Sequence, residues 1–186
     1  MSTAVRPLDP AKAVGVSKQL LERLERRIGR IPAVVLLVAN SSAALRGYLS
    51  LFGALRSGGL AARLCEQIAL RVSELNGSEY GVAEHAEFAR ELGLSEREIR
   101  DARLGRSPTP KLQAGLAFAE AVVASRGHVS DADLARVRAA GYTDGQIVEI
   151  VAQVALNTFV NHLTNASRLP ASAARRSTVP GARLSA

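Results

Sequence analysis

Helix-capping residues recur along the whole chain, and they constrain its fold more than any other feature. Ser95, Ser130 and Thr143 each stand three residues before Glu, Asp or Gln, which is the pattern of a capping box at a helix start. Thr109 precedes a proline, and proline is favoured at the first helical position. No segment alternates between apolar and polar residues for long enough to propose a strand. The sequence therefore predicts an all-α fold.

The predicted helices follow one another with short connections. They include Ser17 to about Ile28, Ala43 to about Arg56, Ala61 to Asn76, a helix that Ser78 caps, and a last helix that Thr143 caps. The last helix is apolar nearly all round from Ile147 to Leu156, which indicates a place in the centre of the core or at a subunit interface. We interpret residues 1–16 as an N-terminal extension, 17–170 as one helical domain and 171–186 as a flexible basic tail.

Composition and charge exclude several classes of function. Of the 186 residues, 47% are hydrophobic and 22% charged, as in a soluble globular protein. The net charge of +7 falls to +4 without the tail, which holds three arginines and no acid, and the remaining arginines alternate with glutamates. We therefore expect no nucleic-acid partner. The longest apolar runs are half of the roughly 20 residues that a membrane span needs, and no secretory pattern opens the chain, so we expect a cytoplasmic protein without membrane contact.

Cys65 is the only cysteine, so the chain cannot form an intramolecular disulfide. It lies inside a predicted helix, away from the helix start that lowers thiol pKa values, and next to the carboxylate of Glu66. We interpret Cys65 as a packing residue. No two of the three histidines have metal-ligand spacing with a third ligand nearby, so we predict neither a metal nor another cofactor.

The segment LCEQIALRVSELNGSEYGVAEHAEFARELGLSEREI, residues 64–99, resembles the core of the carboxymuconolactone decarboxylase and alkylhydroperoxidase family. In that family a helix with a glutamate is followed, after an Asn-Gly type break, by a Cys-x-x-Cys pair and a histidine four residues beyond the second cysteine. The matching positions here are Glu66, Ser78, Gly81 and His85. Flanking segments extend the resemblance over residues 18–170. It implies a compact multi-helix bundle of the alkylhydroperoxidase D-like type that assembles as a homo-oligomer, a trimer or hexamer.

The departure from the family pattern lies at the two cysteine positions. Serine and glycine at positions 78 and 81 cannot supply the thiolate and disulfide chemistry of the peroxidase branch. An acid–base pair remains, and the resemblance implies Glu66 and His85 as its catalytic residues. Ser78, Tyr80 and Gly81, at the start of the same helix, are the candidate substrate-binding residues, because free backbone donors there suit an anion. We therefore expect an acid–base enzyme, a lyase or isomerase, for a small organic acid, lactone or related carbonyl compound.

Two other functions remain open at this stage. One is the alkylhydroperoxidase or peroxiredoxin-type antioxidant activity that family membership suggests, and the other is a non-catalytic ligand-binding or assembly role. Each site residue also has a structural alternative. Glu66 could pair with an arginine such as Arg71, His85 could cap or pack a helix, and Tyr80 could anchor the helix start with its ring buried and its hydroxyl in water. The polar residues of the last helix, Asn157, Asn161 and His162, indicate a structural hydrogen-bond network.

Overall fold

The computed structural model describes residues 4–175, which form ten α-helices and no strand, as predicted. A 3₁₀ turn, Pro10–Lys12, precedes them. The helices are α1 Gly15–Ile28, α2 Ala33–Val38, α3 Ser42–Arg56, α4 Ala62–Leu75, α5 Glu79–Glu91, α6 Glu96–Arg103, α7 Pro110–Ala124, α8 Asp131–Ala139, α9 Asp144–Ala166 and α10 Ala171–Arg175. For the helices whose start and end were both predicted, each observed end lies within about two residues of the predicted one.

Local signals in the sequence explain where the helices begin and end. The three predicted capping boxes form at the starts of α6, α8 and α9. Ser78 caps α5, since its hydroxyl accepts a hydrogen bond from the Gly81 amide at 3.2 Å. Gly29 ends α1 with a φ of 74°, a left-handed conformation that glycine adopts without strain. These local contacts fix where the helices begin and end.

Helix α4 lies at the centre of the fold and packs against α5, α6, α7 and α9. Its residues Leu64, Ile68 and Val72 are buried with Leu116 of α7 and Ile150 of α9 in the largest apolar cluster. Burying each such side chain stabilises the fold by about 1.5 to 3 kcal/mol. Charged residues on α4 are therefore held by a rigid scaffold.

A second apolar cluster joins α1, α2 and α3 to the start of α5, the C-terminal half of α9 and α10. Residues 171–175 of the predicted flexible tail are helical, and Ala174 among them is fully buried in this cluster. The rest of that tail, 176–186, lies outside the described residues. Part of the predicted N-terminal extension is also attached, since the Leu8 amide donates a hydrogen bond to the Leu36 carbonyl at 3.0 Å.

Helix α9 is the longest helix in the described part of the chain. One side is buried in the core through Ile147, Ile150 and Val154, while Val148 and Phe159 on the other side are exposed. The predicted core position is therefore confirmed for one face, and oligomerisation through the other stays a prediction. Neither α9 nor any other described helix has the length and hydrophobicity that crossing a membrane requires.

Candidate functional site

A cavity of about 320 Å³ is lined by residues of α1, α2, α3, α4, α5 and α9, several of them members of the second apolar cluster. Its walls are mainly aliphatic and aromatic, as is usual for ligand sites in proteins. The apolar residues that line it are Leu20, Leu24, Ile28, Pro32, Val34, Val35, Leu49, Phe52, Leu55, Ala69, Phe88, Leu156 and Val160. The polar and charged lining residues that matter below are Arg23, Arg27, Tyr48, Arg56, Cys65, Glu66, Glu84, His85, Gln153 and Asn157.

Glu66, His85 and Arg56 form a charged triad in the wall of this cavity. Glu66 Oε2 lies 2.8 Å from His85 Nδ1, and Glu66 Oε1 accepts a hydrogen bond from Arg56 Nη1 at 3.1 Å. Only 6% of the Glu66 side chain and 15% of the His85 side chain are exposed, against 33% for Arg56. A carboxylate oxygen can only accept a hydrogen bond, so Nδ1 carries the shared proton. The side chain of Asn157 is a second hydrogen-bond partner of the ring.

Each member of the triad comes from a different helix. Glu66 is placed by the buried central helix α4, and His85 lies two turns along α5. Arg56 ends α3, and Glu149 of α9 holds the loop that follows it, since its carboxylate accepts hydrogen bonds from the Gly59 amide at 2.9 Å and the Leu60 amide at 3.1 Å. The loop is thereby fastened between α3 and α4, which keeps Arg56 next to Glu66.

The surroundings of His85 raise its pKa. Burial alone would lower the pKa of the ring, but the hydrogen bond and charge of Glu66, the charge of Glu84 and the side chain of Asn157 favour the protonated form more strongly. Protonated His85 is then a proton donor that the carboxylates hold in one orientation. This is a suitable state for a general acid at neutral pH.

Glu84 is a second buried carboxyl group in the cavity wall, and the sequence analysis did not select it. Tyr80 donates a hydrogen bond from its hydroxyl to Glu84 Oε1 at 2.8 Å. Burial raises the pKa of Glu84, since the opposing effects of His85 and Tyr80 are smaller, and Glu66 adds to the increase. Tyr48, also in the cavity wall, has a raised pKa because of burial and the charge of Glu84. The i, i+4 spacing of Tyr80 and Glu84 and the position of Glu84 beside His85 were signals for this residue.

Cys65 is buried, as predicted for a packing residue, yet it also lines the cavity beside Glu66. Burial raises the pKa of its thiol to about 12, and the charge of Glu66 acts in the same direction. The thiolate is the nucleophilic form of cysteine, so this environment opposes thiol chemistry at neutral pH.

The two positions of the absent cysteine pair lie in a closed polar cluster away from the cavity lining. We call Ser73, Ser78, Gly81, Asn161 and Thr164 the α5-start cluster. The Ser78 hydroxyl is 3.1 Å from the Thr164 hydroxyl, and Ser73 donates a hydrogen bond to Asn161 Oδ1 at 3.2 Å. A Cβ atom on residue 81 would lie 2.5 Å from both Ser73 Oγ and Asn161 Oδ1. Neighbouring side chains thus occupy the space that a side chain at position 81 would need.

The structure brings some of the predicted site residues together and separates others. Glu66 and His85 meet in the cavity wall, whereas Ser78 and Gly81 have no part in the lining. Tyr80 reaches the cavity only through Glu84. Its ring is buried, and its hydroxyl contacts that carboxyl group instead of lying in water as the structural alternative supposed. Candidate ligand contacts therefore lie further along α5 than the sequence suggested.

Two structural expectations need correction. Arg71 does not pair with Glu66, because its guanidinium donates to Glu120 at 2.6 Å, and Arg56 takes the place next to Glu66. The polar residues of α9 do not form one network. Asn157 and Asn161 lie one turn apart on the same face of α9, but Asn157 faces the cavity and Asn161 belongs to the α5-start cluster. The helical period turns His162 away from that face, and it is exposed.

The model of the carboxymuconolactone decarboxylase family matches residues 42–123 of the chain. This range includes α3, α4 and α5, and so all three residues of the charged triad. The match, together with the structural neighbours described next, bears out the family resemblance. No match was found among curated proteins.

Solved structures confirm the fold over almost the whole chain. One is an alkylhydroperoxidase AhpD core, an uncharacterized peroxidase-related protein from Ralstonia eutropha JMP134, with 24% identity, a TM-score of 0.75 and coverage of 89% of this chain and 90% of that chain. Another is the debrominase Bmp8, a cysteine-to-alanine variant in complex with 2,3,4-tribromopyrrole, with 21% identity, a TM-score of 0.75 and coverage of 95% and 96%. At these identities the likeness concerns the fold alone.

Proposed function

We propose that this chain, of which residues 42–123 match the carboxymuconolactone decarboxylase family model, is an acid–base enzyme for a small organic acid, lactone or related carbonyl compound. The contact between Glu66 Oε2 and His85 Nδ1, at 2.8 Å in the wall of an apolar cavity, carries this proposal. Such a cavity excludes most water, so a proton held there exchanges with a bound ligand.

In the proposed reaction His85 is the catalytic residue and Glu66 is the positioning residue. Both Glu66 oxygens already have partners, Arg56 and His85, so the carboxylate holds the ring and stabilises its positive charge. His85 Nε2 donates its proton to the carbon of an enolate, or to the oxygen of a carbonyl group, as electrons move towards that atom. Its raised pKa keeps this proton in place near neutral pH. Neutral imidazole then recovers a proton from water or from the product.

Thiol peroxidase activity has less support. Ser78 and Gly81 stand at the cysteine positions, and burial raises the pKa of Cys65 to about 12. We expect no consumption of peroxide above background in the presence of a dithiol reductant.

Turnover of a panel of lactones, β-keto acids and enol-lactone acids, measured for the parent and its variants, tests the acid–base proposal. Replacing His85→Gln should lower kcat by at least about 100-fold, because a positioned general acid contributes a factor of that order. Glu66→Gln should lower kcat less, and should shift the falling limb of the pH–rate profile to lower pH, because the ring loses the charge that raises its pKa.

His128 and His162 have exposed side chains, so the variants His128→Gln and His162→Gln provide the controls. Equal rates for His85→Gln and the parent on every converted substrate would refute the proposal.

A further inference from the structure

Two arginines of α1 stand where the apolar cavity wall meets solvent. Arg23 and Arg27 are four residues apart, so they lie on the same face of the helix, and both are exposed while lining the cavity. They alternate with Leu20, Leu24 and Ile28, which line the cavity from the same helix. The helix therefore presents an apolar surface to the cavity and two guanidinium groups at its rim.

Neither of these arginines has an anionic partner within residues 4–175. The Glu22 carboxylate on the same helix pairs with Lys18 at 3.9 Å, and no ion pair of the described residues includes Arg23 or Arg27. Arg56, the third arginine at the cavity, is already bound to Glu66. The rim thus carries two positive charges that are available to a ligand, whereas the charge of Arg56 is compensated.

The remaining charged groups that face the cavity do not favour an anion deep inside. Glu66 and Glu84 contribute two carboxyl groups to the wall against the two basic groups of Arg56 and His85, and Glu66 contacts both of those groups. The rest of the wall is apolar, with aromatic rings from Phe52 and Phe88. A volume of about 320 Å³ is near the lower end of the range for small-molecule sites. The cavity thus suits a compact apolar body with its charge at one end.

We infer that the cavity takes a small amphipathic carboxylic acid, whose carboxylate binds Arg23 and Arg27 at the rim and whose apolar chain or ring extends towards His85. Guanidinium groups bind carboxylates through charge-assisted hydrogen bonds, and two of them one helical turn apart match a single carboxylate. This inference rests on the proposed function only in making His85 the group at the reacting end. Binding itself requires no turnover.

Isothermal titration calorimetry with octanoate, 1-octanol and butyrate tests the inference on the intact protein. Octanoate should bind more tightly than either of the others, because it alone combines the charge with a long apolar chain. Arg23→Gln with Arg27→Gln should weaken octanoate binding about tenfold, the effect expected from two exposed ion pairs, and leave 1-octanol binding unchanged. Arg26→Gln with Arg30→Gln removes the same charge from exposed positions that do not line the cavity, and it should have little effect.

Equal affinities for octanoate and 1-octanol, or an equal loss in the two double variants, would overturn the inference, because neither result requires contact with Arg23 and Arg27. Absence of octanoate binding to the parent would also overturn it. The tenfold loss caused by Arg23→Gln with Arg27→Gln should persist in the His85→Gln background, and its disappearance there would place the carboxylate at the wrong end of the cavity. If octanoate binding follows the rim arginines while His85→Gln retains full turnover, the acid–base proposal fails and the ligand class stands.

Discussion

Two polar regions lie along the same helix, α5, and they differ in what their side chains can do. The α5-start cluster consists of hydroxyl, amide and glycine groups, which carry no charge at any ordinary pH and are closed off from the cavity. The charged triad, together with Glu84, consists of titratable groups that face the cavity. Positions 78 and 81, which the family resemblance aligns with a redox pair, are thus part of the packing, while His85, two turns beyond Ser78, has a face open to the cavity.

The largest effect that would test this difference is steric. Gly81→Leu should lower the free energy of unfolding by about 3 kcal/mol, because its side chain must displace Ser73 and Asn161 from a close-packed cluster. Chemical denaturation gives the value. Gly47→Leu is the matched control, since the same change in α3 meets no atom within 4 Å of the new Cβ and is expected to leave stability equal or slightly higher. A similar result for both glycines would show that the α5-start cluster is not tightly packed.

Loss of the buried cap should have an intermediate effect. Ser78→Ala removes the hydrogen bond to the Gly81 amide and leaves the Thr164 hydroxyl without its partner on α5, so we expect a loss of about 1 to 2 kcal/mol of stability. Ser41→Ala removes an exposed cap from α3 and should cost less, about 0.5 to 1 kcal/mol. Turnover at saturating substrate should be unchanged in both variants. A large loss of kcat in Ser78→Ala alone would show that the start of α5 is part of the active site.

The smallest effect is a dependence of stability on pH to which the cavity region contributes and the α5-start cluster does not. The pKa of His85 is raised in the folded protein, so its contribution is complete below its unfolded value of about 6.5 and is lost as pH rises through its folded value. The raised pKa of Glu84 acts in the same sense, above its own ordinary value of 4.5. Stability should therefore fall with rising pH, by at most about 1.4 kcal/mol per pH unit for each proton.

Urea denaturation between pH 5 and 9 measures this dependence. His85→Gln and Glu84→Gln should each flatten the curve, because each removes one titrating group. Ser78→Ala should shift the whole curve downwards without changing its slope, since the α5-start cluster binds no proton. A slope that Ser78→Ala alters as much as His85→Gln does would mean that the two regions are coupled.

Much of this fold follows from signals that act within a few residues. The boxes at Ser95, Ser130 and Thr143 form as expected, because a cap satisfies backbone groups of its own helix and depends little on the rest of the molecule. The end of the domain was less predictable. The segment Ala171–Arg175 has no amphipathic period, and it is helical because a single small residue, Ala174, fits against α5. For a segment of this kind, tertiary packing decides whether a helix forms.

The residues of the candidate site divide in the same way, into those that a sequence pattern identifies and those that only packing places there. Spacing within the family pattern located Glu66 and His85, but Arg56 comes from another helix and from a position that no motif marks. Which arginine meets a given carboxylate depends on how helices cross, and for that reason Arg71, one helical turn and a residue beyond Glu66, was a reasonable but wrong partner. Glu84 directly precedes His85 in the sequence, yet its burial depends on packing against α3 and α9. Contacts within a helix and the one interhelical pair that the family pattern marks could be predicted, and the other contacts between helices could not.

The close approach at Gly81 also bears on how this protein could change over evolutionary time. A cysteine pair at positions 78 and 81 would take two substitutions in the sequence as it stands. Ser73 and Asn161 lie within 2.5 Å of any Cβ at position 81, so Gly81→Cys alone would meet the same steric obstacle as any larger residue. Acquiring the pair therefore needs coordinated changes on α4 and α9 as well, and each of those changes alone leaves a buried polar group without its partner. No single substitution gives this chain a dithiol without a cost in stability.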